Sequence, residues 1–128
     1  MVTIEAKPKV QVDKEIKALI EQSYERCTIV HCKYFVTEIS SVRIWKSTFL
    51  IEENGNKCGL IKPFNISIAP DWTTHFIVND FIYFTLIFEG LSKNCGSFYL
   101  FEDIPEPGGF YSDSVLRNNS DVYTVEVK

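Results

Sequence analysis

Two histidines, four cysteines and one acidic loop are the places where this chain of 128 residues carries side chains suited to catalysis or metal binding. A histidine works as base or ligand only when the fold brings a carboxylate, hydroxyl or thiol to it. His31, between Val30 and Cys32, reads as a sheet residue on the less buried face of a strand. His75 lies in an aromatic loop with Trp72 and Phe76, a better setting for binding, although a structural role is the simpler reading there too. The loop Glu102-Asp103-Ile104-Pro105-Glu106-Pro107-Gly108-Gly109 has carboxylates but not the alternating Asx ligands of a calcium loop. Cys27, Cys32, Cys58 and Cys95 lack the paired CxxC spacing of a structural zinc site. Gly55 and Gly59 are followed by neither a strand-to-helix turn nor a GK[ST] element, so they form no phosphate loop. No GxSxG, HExxH or paired-carboxylate pattern occurs. The sequence therefore points away from an enzyme: no catalytic residue, metal ligand or cofactor is expected.

The cysteines read as free, buried or half-buried thiols. Cys27 and Cys32, five apart on one predicted strand, point to opposite faces and cannot bridge each other. A Cys58–Cys95 or Cys32–Cys95 disulfide is the alternative. Two formal glycosylation sequons, Asn65-Ile66-Ser67 and Asn118-Asn119-Ser120, read as chance occurrences.

The elements that hold these side chains follow from composition and period. Ten Phe, six Tyr and two Trp against a single Met favour strands. The size suits one domain, here residues 1–128. A net charge of −4 with thinly spread Lys and Arg argues against a nucleic-acid partner. The first residues alternate and are charged, unlike a secretion signal. The most apolar run, Phe76 to Phe88, is too short to span a bilayer. The chain as it stands is expected in the cytoplasm, or in the periplasm or envelope if trimmed of a leader.

Val2 to Val12, interrupted by Pro8, reads as an edge strand or extended arm. Asp13 to Gln22 spaces Ile16, Leu19 and Ile20 as a short helix would. Cys27 to Val36 is a strand whose core face is Thr28, Val30, Cys32 and Tyr34. Val42 to Ile51 continues the pattern, and Asn54-Gly55 turns it into a hairpin with Lys57 to Ile61. Phe64 to Ala69 is a further short strand. Phe81 to Glu89 and Ser97 to Glu102 read as two inner strands facing each other across Gly90-Leu91-Ser92-Lys93-Asn94. Asp103 to Asn119 is long and irregular, and Asp121 to Val127 closes the chain. Seven or eight short strands with turns between them describe an all-β antiparallel sandwich.

Three stretches carry a resemblance. They are Glu25 to His31; Val42 to Leu50 with Asn54-Gly55-Asn56-Lys57; and Phe84 to Lys93 followed by Ser97 to Glu102. Their order resembles a β-sandwich module of Bacteroidetes-type bacterial proteins that often sits ahead of thioredoxin-like domains. The resemblance implies an immunoglobulin-like sandwich and little about activity.

The leading functional expectation is a non-enzymatic module that binds a protein partner through its end loops, in the manner of an immunity or anti-defence inhibitor. Trp72, His75, Phe76, Pro105, Pro107, Phe110 and Tyr111 are the expected contacts, since prolines pre-order a loop and aromatic rings offer contact area at low entropic cost. Phe110 and Tyr111 have an equal alternative as a lid folded onto the sandwich end. A small-ligand binder or enzyme with a pocket near Asp71, Trp72 and His75 is the second reading. A homodimer pairing through Val2–Val12 is the third.

Overall fold

A computed structural model describes residues 27–75 and 78–128. The predicted arm Val2–Val12, the predicted helix Asp13–Gln22 and Phe76 lie outside the described residues. Among the described residues the protein is all-β, with no helix. Nine strands follow in order: β1 (Thr28–Val36), β2 (Ser40–Val42), β3 (Thr48–Glu52), β4 (Lys57–Phe64), β5 (Thr73–His75), β6 (Asp80–Phe88), β7 (Ser97–Glu102), β8 (Val115–Leu116) and β9 (Val122–Val127). Seven of them form one sheet in the order β8-β7-β3-β4-β6-β1-β9, and β2 and β5 form a second, two-stranded sheet. Every neighbouring pair is antiparallel except β1 and β9.

The alternating pattern of each strand sets what is buried. β1 turns Val30, Cys32 and Val36 inward, and β6 turns Ile82, Phe84, Leu86 and Phe88 inward. Leu50 of β3, Phe98 and Leu100 of β7, and Tyr123, Val125 and Val127 of β9 complete the core. The outward alternates on β6 and β7, Tyr83, Tyr99 and Phe101, are exposed. β1, β3, β6, β7 and β9 thus each turn one face to the core and the other outward, as a sheet with one solvated face requires.

The long sheet curls until its edges nearly meet. The Phe98 ring of β7 packs edge-on against Tyr123 of β9, with centroids 4.8 Å apart. At one end Tyr111 bridges Phe101 and exchanges two backbone hydrogen bonds with Lys128, of 3.2 and 2.9 Å. At the other end the Arg117 guanidinium grips the Asp121 carboxylate through two bonds of 3.0 Å. Arg117 also donates to the carbonyls of Ser92 and Cys95. A sheet closed this way exposes less unpaired edge.

Three sequence expectations need correction. β6 and β7 do not face each other as neighbours, because the β3–β4 hairpin lies between them in the sheet. The order β7-β3-β4-β6 is a Greek key, and the connection from Glu89 to Gly96 passes over the hairpin end instead of making a tight turn. Val42 to Ile51 is not one strand, since Trp45 to Thr48 forms a turn closed by the Thr48 N–H on the Trp45 carbonyl at 3.1 Å. Phe64 ends β4 rather than opening a new strand, because Asn65 takes a left-handed φ of 63°. The Asn54-Gly55 hairpin between β3 and β4 is in place, with Gly55 at a φ of 89°. All four cysteines are free, with Cys32, Cys58 and Cys95 buried.

Candidate functional site

The short β2–β5 ladder builds a cleft at one end of the molecule. Its last register pair is Val42 with Thr73, so Arg43 and Trp72 are the next positions to face each other as the two chains leave the ladder. Ile44, fully buried, makes a parallel bridge to Ile68. That bridge fixes the backbone beside Ile44, and alternation sends Arg43 and Trp45 to one side of it. The Arg43 guanidinium lies 3.9 Å over the Trp72 ring and 5.2 Å from the Trp45 ring. Such stacking holds the plane of the guanidinium and leaves its edges to donate.

Those edges are only partly used. One terminal N–H donates to the Pro70 carbonyl at 3.2 Å. The other terminal nitrogen stands 3.6 Å from the Glu106 carboxylate, too far for a hydrogen bond. Nε is buried and has no partner.

Behind Arg43, at the inward end of β7, sits the buried carboxylate of Glu102. One of its oxygens accepts the Trp45 N–H at 2.8 Å and the other accepts the Phe110 N–H at 3.0 Å. It thereby ties down the turn that carries Trp45 and the loop that returns at Phe110. Burial raises the Glu102 pKa above the ordinary carboxylate value, although the Phe110 and Trp45 N–H groups, the Thr48 hydroxyl and the Arg43 charge pull the other way. Gly109 passes so close that a Cβ there would meet the Glu102 carbonyl oxygen at 2.6 Å. Gly109→Ala must push two backbone segments apart, and a loss of about 1–3 kcal/mol is expected in urea denaturation.

The resulting cleft has a volume of about 300 Å³ and is walled by Trp45, Trp72, Glu106 and Pro107, with Arg43 and Glu102 deeper. It draws on both loops expected from the sequence to bind. Trp72, Pro107 and Phe110 line it. Pro105 is exposed in the same loop. The backbone of His75 pairs with Ser40 in the β2–β5 ladder.

Phe110 and Tyr111, read from the sequence either as contacts or as a lid, take different positions. Phe110 is only 7% exposed, with its ring 5.0 Å from Tyr34 and 5.7 Å from Phe84, so it plugs the sandwich end instead of presenting a free surface. Tyr111 stands on the outward face beside Phe101, away from the cleft. Sequence reasoning missed Arg43, Trp45 and Glu102 as members of one site. The usable signal was the Arg43-Ile44-Trp45 alternation, which puts the cation and the ring on one face.

A second buried carboxylate sits at the opposite end of β3. One oxygen of Glu52 accepts from the Ser92 N–H, the Ser92 hydroxyl, the Asn56 amide and the Cys58 thiol, at 2.9, 3.0, 2.9 and 3.4 Å. Burial, helped by the nearby Glu52 carboxylate, pushes the Cys58 thiol up to about 12. A thiol held protonated this way is a poor nucleophile, which makes this end a structural clamp.

Among the described residues no three His, Cys, Asp or Glu side chains come together as a metal site needs. No helix among them is long and apolar enough to cross a membrane. No family model, curated protein or solved structure matches this chain.

Proposed function

We propose that this chain is a non-catalytic, immunoglobulin-like β-sandwich module that binds a protein partner at the cleft end, in the manner of an immunity or anti-defence inhibitor. The observation that carries the reading is the meeting of two separate loops, one through Trp72 and one through Glu106 and Pro107, around a stacked Arg43. Trp and Arg in a partly enclosed site are the residue types that dominate binding energy at protein interfaces. The Greek-key order β7-β3-β4-β6 supports the immunoglobulin-like part.

Affinity capture with Trp72→Ala tests it, with Leu116→Ala as a control on a remote, 81% exposed side chain. Partner recovery is expected to fall about tenfold or more for Trp72→Ala, the effect of losing an interface anchor, and to stay unchanged for Leu116→Ala. Unchanged recovery for Trp72→Ala with intact circular dichroism rejects the reading. A small-ligand site in the same cleft is the second reading, favoured by a volume of about 300 Å³, at the lower bound of ligand pockets.

A further inference from the structure

The hydrogen-bonding account of Arg43 does not close. A guanidinium has five N–H donors in one plane. Here one hydrogen bond is made to Pro70, Glu106 stands beyond hydrogen-bond reach, and Nε is buried without an acceptor. Glu102 cannot fill the gap by turning, since each of its oxygens already holds a backbone N–H. A buried donor left unpaired is costly, and its stacking on the Trp72 ring, with Trp45 nearby, gives it a fixed direction.

We propose that the cleft reads a carboxylate on its partner, with Arg43 as the receiving fork and Glu106 as the chain's own carboxylate holding that place in the free protein. The inference rests on the partner-binding reading above and adds the chemistry of what is recognised. Glu106 is half exposed on a loop, so it can give way to solvent at little cost. A ligand carboxylate that replaces it leaves the local charge unchanged. A phosphate dianion would instead add negative charge beside Glu102, which disfavours it. Planar carboxylate geometry also matches the fork through two parallel bonds, which a neutral amide cannot do with equal strength.

Both tryptophans of the chain, Trp45 and Trp72, line this cleft, so their fluorescence reports on it alone. Three capped tripeptides separate the sources of the carboxylate: a central glutamate with an amidated end, an all-alanine peptide with a free C-terminal carboxylate, and a central glutamine with an amidated end. At least one acidic peptide is expected to shift the emission and the Arg43 Nε–H resonance, and the glutamine peptide neither. Glu106→Gln is expected to tighten acidic-peptide binding about two- to fivefold, the effect of releasing one exposed ion pair. Arg43→Lys is expected to weaken it about tenfold, because the ammonium lacks the planar fork. Equal binding of the glutamine peptide, an unchanged or weakened affinity in Glu106→Gln, or no response to any peptide in either wild type or Glu106→Gln overturns the proposal. If peptides fail while capture still depends on Trp72, carboxylate recognition is wrong and the partner reading stands. If acidic peptides bind while capture ignores Trp72→Ala, the cleft is a site for small acids and the partner reading falls.

Discussion

Glu52→Ala is expected to lower the folding free energy by about 3–4 kcal/mol, read as a drop in the urea midpoint. The side chain is 1% exposed, and four donors converge on one of its oxygens. Removing it strands the Ser92 N–H, takes an acceptor from the Asn56 amide and the Cys58 thiol, and empties the space beneath the hairpin turn. Glu52→Gln keeps an acceptor at that position and should cost less, about 1–2 kcal/mol, for the lost charge assistance. The pH dependence separates charge from shape. Burial pushes the Glu52 pKa up, but the Ser92 N–H, the Asn56 amide, the Ser92 hydroxyl and the Cys58 thiol together outweigh it, and the net shift is down. A carboxyl lowered in the folded state contributes stability above its unfolded pKa, about 4.3, and loses that contribution as pH falls through the folded value. The gap between wild type and Glu52→Gln should therefore shrink on acidification. Glu102 has the opposite sign, since its folded pKa is raised. Its contribution is present below the unfolded pKa and is lost as pH rises through the folded one, so Glu102→Gln should compare better with wild type at neutral pH than in acid. A wild-type to Glu52→Gln gap that stays constant across this range would show that Glu52 acts through shape alone.

The two carboxylates also show what was legible in the sequence. Period-two alternation identified β1, β6, β7 and β9 as strands, and the structure then shows that Phe84, Leu86 and Phe88 are the face of β6 turned inward. Asn54-Gly55 identified the hairpin, because its turn needs a positive φ that few residues tolerate. Strand pairing was not legible. Phe81 to Glu102 looks like an adjacent pair, and only the register of β7 on β3 shows that a hairpin intervenes. Glu52 and Glu102 share a face with Leu50 and Leu100, so the same alternation that placed the leucines inside places the acids inside too. Charge argued for the surface there, and hydrogen bonds to both oxygens of Glu102 and to one oxygen of Glu52 overrode it, although the other Glu52 oxygen is buried without a partner. In the cleft, Trp72 and Pro107 were visible as loop residues with contact-prone side chains. Arg43 and Trp45 were hidden because they sit within what reads as a continuous strand, and the turn at Trp45 to Thr48 is held by the local Thr48 hydroxyl bond to the Trp45 carbonyl and by the tertiary bond from the Trp45 N–H to Glu102.

Phe110→Ala is expected to cost about 3–4 kcal/mol, and the neighbouring Tyr111→Ala less than about 1 kcal/mol. The adjacent rings differ in where the backbone puts them. Phe110 is drawn inward by its N–H bond to the Glu102 carboxylate and by its carbonyl, which accepts the Glu102 N–H at 2.9 Å. Its ring then closes the core against Tyr34 and Phe84, and truncation leaves a void that Gly109 and Glu102, held to each other, cannot collapse to fill. Tyr111 secures the sheet edge through backbone bonds to Lys128 that any residue except proline can make, and its side chain is 47% exposed. Equal melting temperatures for the two variants would overturn this assignment. The contrast also governs how binding experiments are read: lost partner recovery in Phe110→Ala reports a loosened sandwich end, whereas lost recovery in Trp72→Ala, where the ring is 56% exposed, reports the cleft itself.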